Sequence, residues 1–232
     1  MQVDAVVCCD NHVDTIFEVA AIAAYAPQIS QTIIVDAGSE DGTAERAEDV
    51  RGAHVLRASA GYRKGDYELI GISASRADAI VFLAPDLIGL DHAHIETLTW
   101  PVTDGDCGMS CGLFDRGPIV NQVYERMLPI VDTQRAVHRS VIEAASPADI
   151  AAFSLEPALN AVCADLRVPT HSVVLPGLRY HVDAERGRPP LGLVREHISL
   201  TRAIWSYASY RVSHKRLEAP EPVVANAAHA AA

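Results

Sequence analysis

The chain has 232 residues, 49% of them hydrophobic, 21% charged and 6% aromatic, with a formal net charge of −11. That length can bury roughly 70–75% of its unfolded surface, and the apolar fraction excludes a chain disordered throughout. Thirty acidic residues against nineteen basic ones argue against a surface built to grip nucleic acid, whose phosphates need a basic face.

The first residues, Met1-Gln2-Val3-Asp4-Ala5, lack the basic start of a signal peptide, and no stretch approaches ~18 uncharged apolar residues. A cytoplasmic protein with no transmembrane segment is expected. Val3–Cys9 reads as a short apolar strand, and Ala20–Tyr25 lies in a helical segment closed by Pro27. Thr32–Val35 predicts a second strand, followed by the turn Asp36-Ala-Gly-Ser. Thr43–Val50 reads as a helix, His54–Arg57 as a strand, Tyr67–Ser75 as a helix and Ala79–Leu83 as a buried strand. This rhythm predicts a parallel α/β sheet. Ligands on such sheets bind at the carboxyl ends of the strands, here residues 8–12, 36–43 and 84–89.

Farther along, His92 and His94 fall in a loop with no assigned role. Asp104–Phe114 reads as turn-rich, with three glycines and two cysteines. Val120–Met127 and Leu155–Leu166 predict helices, and Ser172–Leu175 a strand. A longer helical pattern covers Leu191–Arg216. Between Arg186 and Arg216 lie seven basic residues and one acidic, a local patch suited to a small anion or a membrane surface. Trp205, Tyr207 and Tyr210 in that helix would pack on the domain, on a twin subunit in a homodimer, or on a membrane as a peripheral contact. One domain over residues 1–217 is expected, with an Ala/Pro-rich flexible tail over 218–232. The five cysteines form no C-x-x-C pair, so buried free thiols in a reducing compartment are expected rather than zinc.

The segment Ile33-Ile-Val-Asp-Ala-Gly-Ser-Glu-Asp-Gly-Thr43 carries the most chemistry. A buried strand delivers Asp36 to its carboxyl end, where a carboxylate can accept hydrogen bonds from a nucleobase or ribose. Gly38 and Ser39 turn the backbone close to a ligand. The same pattern would also form a turn and helix cap with no ligand. Lys64-Gly65 and the run Asp78 through Leu87 follow in order. Lys64 is one of only two lysines, the other being Lys215, in a chain that otherwise uses arginine.

These motifs resemble the nucleotide-sugar-dependent glycosyltransferases of the GT-A fold, particularly family 2. The family runs V-I-P-A-Y-N-E-E, V-D-x-G-S-x-D-G-T, G-K-G and a metal-binding D-x-D after a strand. The resemblance implies an α/β GT-A fold, a Rossmann-like nucleotide-diphospho-sugar transferase architecture with a mostly parallel central sheet flanked by helices. It implies sugar transfer from a UDP- or GDP-sugar to an acceptor hydroxyl, assisted by Mg²⁺ or Mn²⁺. Asn11, Asp36, Gly38, Ser39, Lys64 and Asp86 would bind the nucleotide sugar. Phe153-Ser-Leu-Glu156 matches the region where an acidic residue faces the acceptor, which makes Glu156 the catalytic candidate. Residues 177–191 are similar to the C-terminal part of glucosyl-3-phosphoglycerate synthases, which implies His181 as a metal ligand beside Asp86. Arg186 and Arg188, with Arg116, would then meet acceptor or phosphate anions.

Two motifs depart from the pattern. The D-x-D triplet is Ala84-Pro85-Asp86, so its first carboxylate is missing and metal binding is expected to be weaker. In the opening motif Asp10 stands where the family has Tyr, and His12-Val13 replaces the Glu pair. These departures leave an alternative, an inactive protein of the same fold acting as a binding or assembly partner. A methyltransferase is disfavoured because Glu40 occupies the central glycine of the D-x-G-x-G-x-G loop. A nicotinamide dehydrogenase would need a G-x-G-x-x-G after the first strand, and a nucleotidyltransferase a Gly-rich loop there. Neither is present.

Overall fold

The computed structural model describes residues 1–115 and 134–181. The expected helices over 120–127 and 191–216, the tail, and Arg116, Arg186 and Arg188 lie outside the described residues. The described elements, in chain order, begin with β1 (Val3–Cys9), α1 (Ile16–Tyr25), β2 (Gln31–Asp36), α2 (Thr43–Glu48) and β3 (Ala53–Arg57). They continue with α3 (Lys64–Ala74), β4 (Ala79–Leu83), β5 (Leu87–Ile88), α4 (His92–Thr103) and β6 (Met109–Phe114). The last group is β7 (Arg135–His138), α5 (Arg139–Ala144), α6 (Pro147–Phe153), α7 (Leu155–Leu166), β8 (Thr170–Leu175) and β9 (Arg179–Tyr180).

Seven strands form one sheet in the order β3-β2-β1-β4-β7-β6-β8, and β5 and β9 form a separate two-stranded ribbon. Every pairing in the large sheet is parallel except those of β7, which runs against β4 and β6. The fold is therefore the expected mostly parallel α/β sheet. Its central strands are apolar without alternation because helices cover both faces. On one face Val3, Ala5, Val7 and Cys9 of β1 join Ala79, Val81 and Leu83 of β4 under α1 and α4. On the other, Val6, Ile33, Val35, Ile80 and Phe82 pack with Tyr67 of α3, Ile150 of α6 and Leu159 of α7.

Two expectations are corrected. Residues 109–114 are not turn but the buried strand β6. Gly112 is there for close packing: a Cβ would lie 2.5 Å from Leu175 Cδ1 on the neighbouring β8. His92 and His94 are not in a loop but open α4. The Asp91 carboxylate caps that helix, accepting from His94 N at 2.8 Å, and the His94 ring returns to Asp91 N at 3.1 Å. Asp91→Ala should lower stability by about 1 kcal/mol, as loss of an N-cap does, read by urea denaturation at an unchanged m-value.

Candidate functional site

The strand ends predicted to hold a ligand come together through their own hydrogen bonds. Asp36 closes β2 and is buried, its Oδ2 accepting from Gly38 N and Ser39 N, both at 3.1 Å. Asn11, at the end of β1, adopts φ 57°, a left-handed conformation that asparagine tolerates. Its backbone N–H donates to Ser39 Oγ at 2.9 Å, and its Oδ1 accepts from Glu40 N at 3.0 Å. His12 N donates to Thr43 Oγ1 at 2.7 Å, and Val13 N to Asp41 Oδ2 at 3.2 Å. Asn11, Asp36, Gly38 and Ser39 thus form one stitched double loop. Part of the Asp36 carboxylate is spent in that turn, so a ligand would share it.

Lys64 and Glu156, singled out separately from 92 residues apart, form an ion pair. The first turn of α3 brings Lys64, the first turn of α7 brings Glu156, and a third group, Glu68, joins them. Glu68 lies one turn beyond Lys64, with Oε1 3.3 Å from the Lys64 Nζ. Its Oε2 accepts from Leu155 N at 2.8 Å. The two carboxylates are nearly buried, at 4% and 10% side-chain exposure, while Lys64 keeps 48%. The close approach that allows this needs Gly65, since a Cβ there would lie 1.9 Å from the Ile150 carbonyl oxygen of α6.

The ionisation of the cluster follows from burial and charge. Burial works to raise the Glu156 pKa, but the Lys64 ammonium and the Arg135 guanidinium overcome it and hold the group down at about 2. Glu68 is pushed up to about 7, first by burial and then by the Glu156 charge. Burial works to lower the Lys64 pKa, but the two carboxylates outweigh it and hold the ammonium protonated. Cys8, at the edge of the cluster, and Cys9, beside Asp36, are kept as thiols mainly by burial.

The third group lies after β4. Pairing of Leu87 with Tyr180 and Ile88 with Arg179 joins β5 to β9, and His181 N donates to the Asp86 carbonyl at 2.6 Å. The two predicted metal ligands, Asp86 and His181, therefore sit side by side along the backbone. Ala84, where the first aspartate of the motif would stand, is buried in the apolar cluster. Among the described residues no group of three or more His, Cys, Asp or Glu side chains could hold a metal. Thr15 Oγ1 bonds the Pro85 carbonyl at 2.8 Å, tying α1 to this loop. Tyr67 Oη lies 3.4 Å from the Ala37 carbonyl and 3.1 Å from that of Ser59, tying α3 to the Asp36 turn. All three groups share the carboxyl edge of the sheet.

Sequence reasoning missed Glu68 and Arg135. Glu68 had a signal, since it stands four residues after a singled-out lysine on a predicted helix. Arg135 is fully buried at the start of β7, with Nη1 3.8 Å from Met109 Sδ. Its strand is four residues long and too polar at its start to be read.

The family model described as glycosyl transferase family 2 matches residues 6–154. No match was found among curated proteins. A solved structure described only as a mycobacterial protein is similar, with 19% identity and a TM-score of 0.68, over 90% of this chain and 74% of that one. So is glucosyl-3-phosphoglycerate synthase from Mycobacterium tuberculosis with phosphoglyceric acid, at 18% identity and TM-score 0.65, over 89% and 80%. The same synthase with Mn²⁺, UDP and glucosyl-3-phosphoglycerate matches at 18% identity and TM-score 0.64, over 89% and 80%.

Two outcomes are expected. Gly65→Ala should destabilise by about 1–3 kcal/mol, as overpacking does, measured by thermal melting. The pH dependence of stability should be domed. The folded chain holds Glu156 ionised below its ordinary value of 4.5, so stability is lost as pH falls from there toward 2. The folded chain also holds a proton on Glu68 between 4.5 and about 7, so stability falls as pH rises through that window. Urea denaturation of Glu68→Gln should abolish the second decline and keep the first.

Proposed function

The chain belongs to glycosyl transferase family 2, and we propose that it moves a sugar from a UDP- or GDP-sugar to an acceptor hydroxyl with help from Mg²⁺ or Mn²⁺. The observation that carries this reading is the convergence of the Asp36 turn, the Asp86–His181 junction and the Lys64–Glu156 pair on one edge of the sheet. In this reading Asn11, Asp36, Gly38 and Ser39 hold the nucleoside. Lys64 meets the diphosphate as a compact positive charge. Glu156 accepts the acceptor hydroxyl's proton as the new bond to the anomeric carbon forms and the bond to diphosphate breaks.

One carboxylate and one imidazole are donors that suit Mg²⁺ or Mn²⁺, which keep several waters and accept substrate phosphate oxygens. Asp86 and His181 would hold such a cation, which supplies charge to stabilise the leaving diphosphate. With Ala84 contributing no ligand, weak binding without nucleotide is expected. The synthase structures with Mn²⁺ and UDP, or with Mg²⁺ and UDP, are consistent with this reading. The inactive alternative has no support in the comparisons, nor does a homodimer or membrane contact. No helix among the described residues is long and apolar enough to cross a membrane. The five free cysteines favour a reducing, cytoplasmic setting.

Calorimetric titration with UDP, GDP and their sugars, with and without Mn²⁺, tests the proposal. One nucleotide should bind with micromolar affinity only when Mn²⁺ is present, and Asp86→Ala should weaken that binding at least ~10-fold. Failure of every nucleotide to bind the folded protein would refute the transferase reading.

A further inference from the structure

We propose that Glu68 is a positioning residue for the transfer reaction: it fixes the amino end of α7 and the Lys64 ammonium to one point, and so governs how far Glu156 is open to the acceptor. The inference rests on the reading of the chain as a nucleotide-sugar transferase.

The helix that carries Glu156 has no cap of its own. Ser154, just before it, has φ 76° and ψ 167°, and its side chain makes no capping bond. The first amides of a helix need acceptors, and the Leu155 amide finds one in Glu68 Oε2, from a helix 87 residues earlier in the chain. A carboxylate in that place is also favoured by the positive end of the helix dipole. The other oxygen of the same carboxylate faces Lys64 Nζ, which is the partner of Glu156 in the next position of α7. One side chain therefore sets both the helix start and the ammonium that covers the catalytic candidate.

The groups around Glu68 are Lys64 on its own helix, Glu156 on α7 and the protonated Cys8 on β1, while Arg135 of β7 acts on Glu156. The packed helix α6 carries the buried Asp149. When Glu68 is ionised, two carboxylates compete for one ammonium and its hold on Glu156 is divided. When Glu68 is neutral, the ammonium rests on Glu156 alone and masks it. A residue that merely capped α7 would have no such effect on the pH profile, because a neutral amide oxygen still accepts from Leu155 N, if more weakly than a carboxylate.

Glu68→Gln separates the two roles. Nucleotide release is measured with UDP-glucose and with GDP-mannose, in Mn²⁺ and with phosphoglyceric acid as acceptor. The variant should lose about tenfold in kcat while KM for the donor stays within about twofold. The wild-type rate should rise through neutral pH, and the variant's should not. Wild-type kcat and pH profile in the variant would overturn the inference. Where the wild-type protein turns over neither donor, the lysine NMR experiment below decides the inference, and the nucleotide titration decides the transferase reading separately. Should Glu68→Gln not fold, the wild-type protein decides the matter. With only Lys64 and Lys215 in the chain, carbon-13 NMR of labelled lysine should show the Lys64 side chain shifting near neutral pH. A Lys64 signal flat across that range would also overturn the inference.

Discussion

The half-exposed Lys64 side chain sets its ammonium between two nearly buried carboxylates, and the candidate site is organised around that fact. Burying two carboxylates costs several kcal/mol each before any compensation. Here the compensation comes from Lys64, from the Leu155 amide and from Arg135, whose charge also favours the ionised Glu156. The two acids are not equivalent. Glu156 receives two positive neighbours and remains ionised, whereas burial, and then the Glu156 charge, push Glu68 up to about 7. Pairs of acids driven apart in this way are how one site keeps one group charged and another protonated at the same pH.

That arrangement depends on backbone geometry more than on charge. Lys64 can reach across to α7 only because α3 begins directly against α6, and Gly65 has no side chain to keep them apart. The Lys-Gly pair is then a single device, a charge followed by the space it needs. The Tyr67 hydroxyl, one turn along the same helix, reaches the carbonyls behind the Asp36 turn. The Asp36 turn and the Lys64–Glu156 pair are therefore braced by the same helix. Displacement of its first turn would disturb both together.

The sequence was most legible where physics acts locally. Val3–Cys9 and Ala79–Leu83 were bounded correctly because strands buried on both faces form uninterrupted apolar runs ended by polar or turn residues. Leu155–Leu166 was also correct, as Pro169 and the polar start mark its limits. Strand β6 was lost because its glycines look like turns, although at Gly112 the missing side chain makes room for Leu175. At the candidate site, Asp36, Lys64 and Glu156 were each singled out from motif and composition. The Lys64–Glu156 pair was not, since nothing local links residues 92 apart, and Glu68 and Arg135 gain their meaning only from that meeting.

The altered metal motif follows the same logic of burial. Ala84 lies in the apolar cluster at the end of β4, where a carboxylate without a cation or donor would be costly. An alanine removes that cost and leaves Asp86 as the one acid of the triplet, placed beside His181 by the β5–β9 ribbon. An imidazole is neutral at working pH when it ligates. Under the proposed reading, the carboxylate lost at Ala84 would leave the site less negative and shift the burden of holding a cation from the protein to the substrate's own diphosphate. Under the proposed mechanism the cation and the nucleotide would then arrive as interdependent ligands. Lys64 would be the fixed positive charge on the opposite side, present whether or not either has bound.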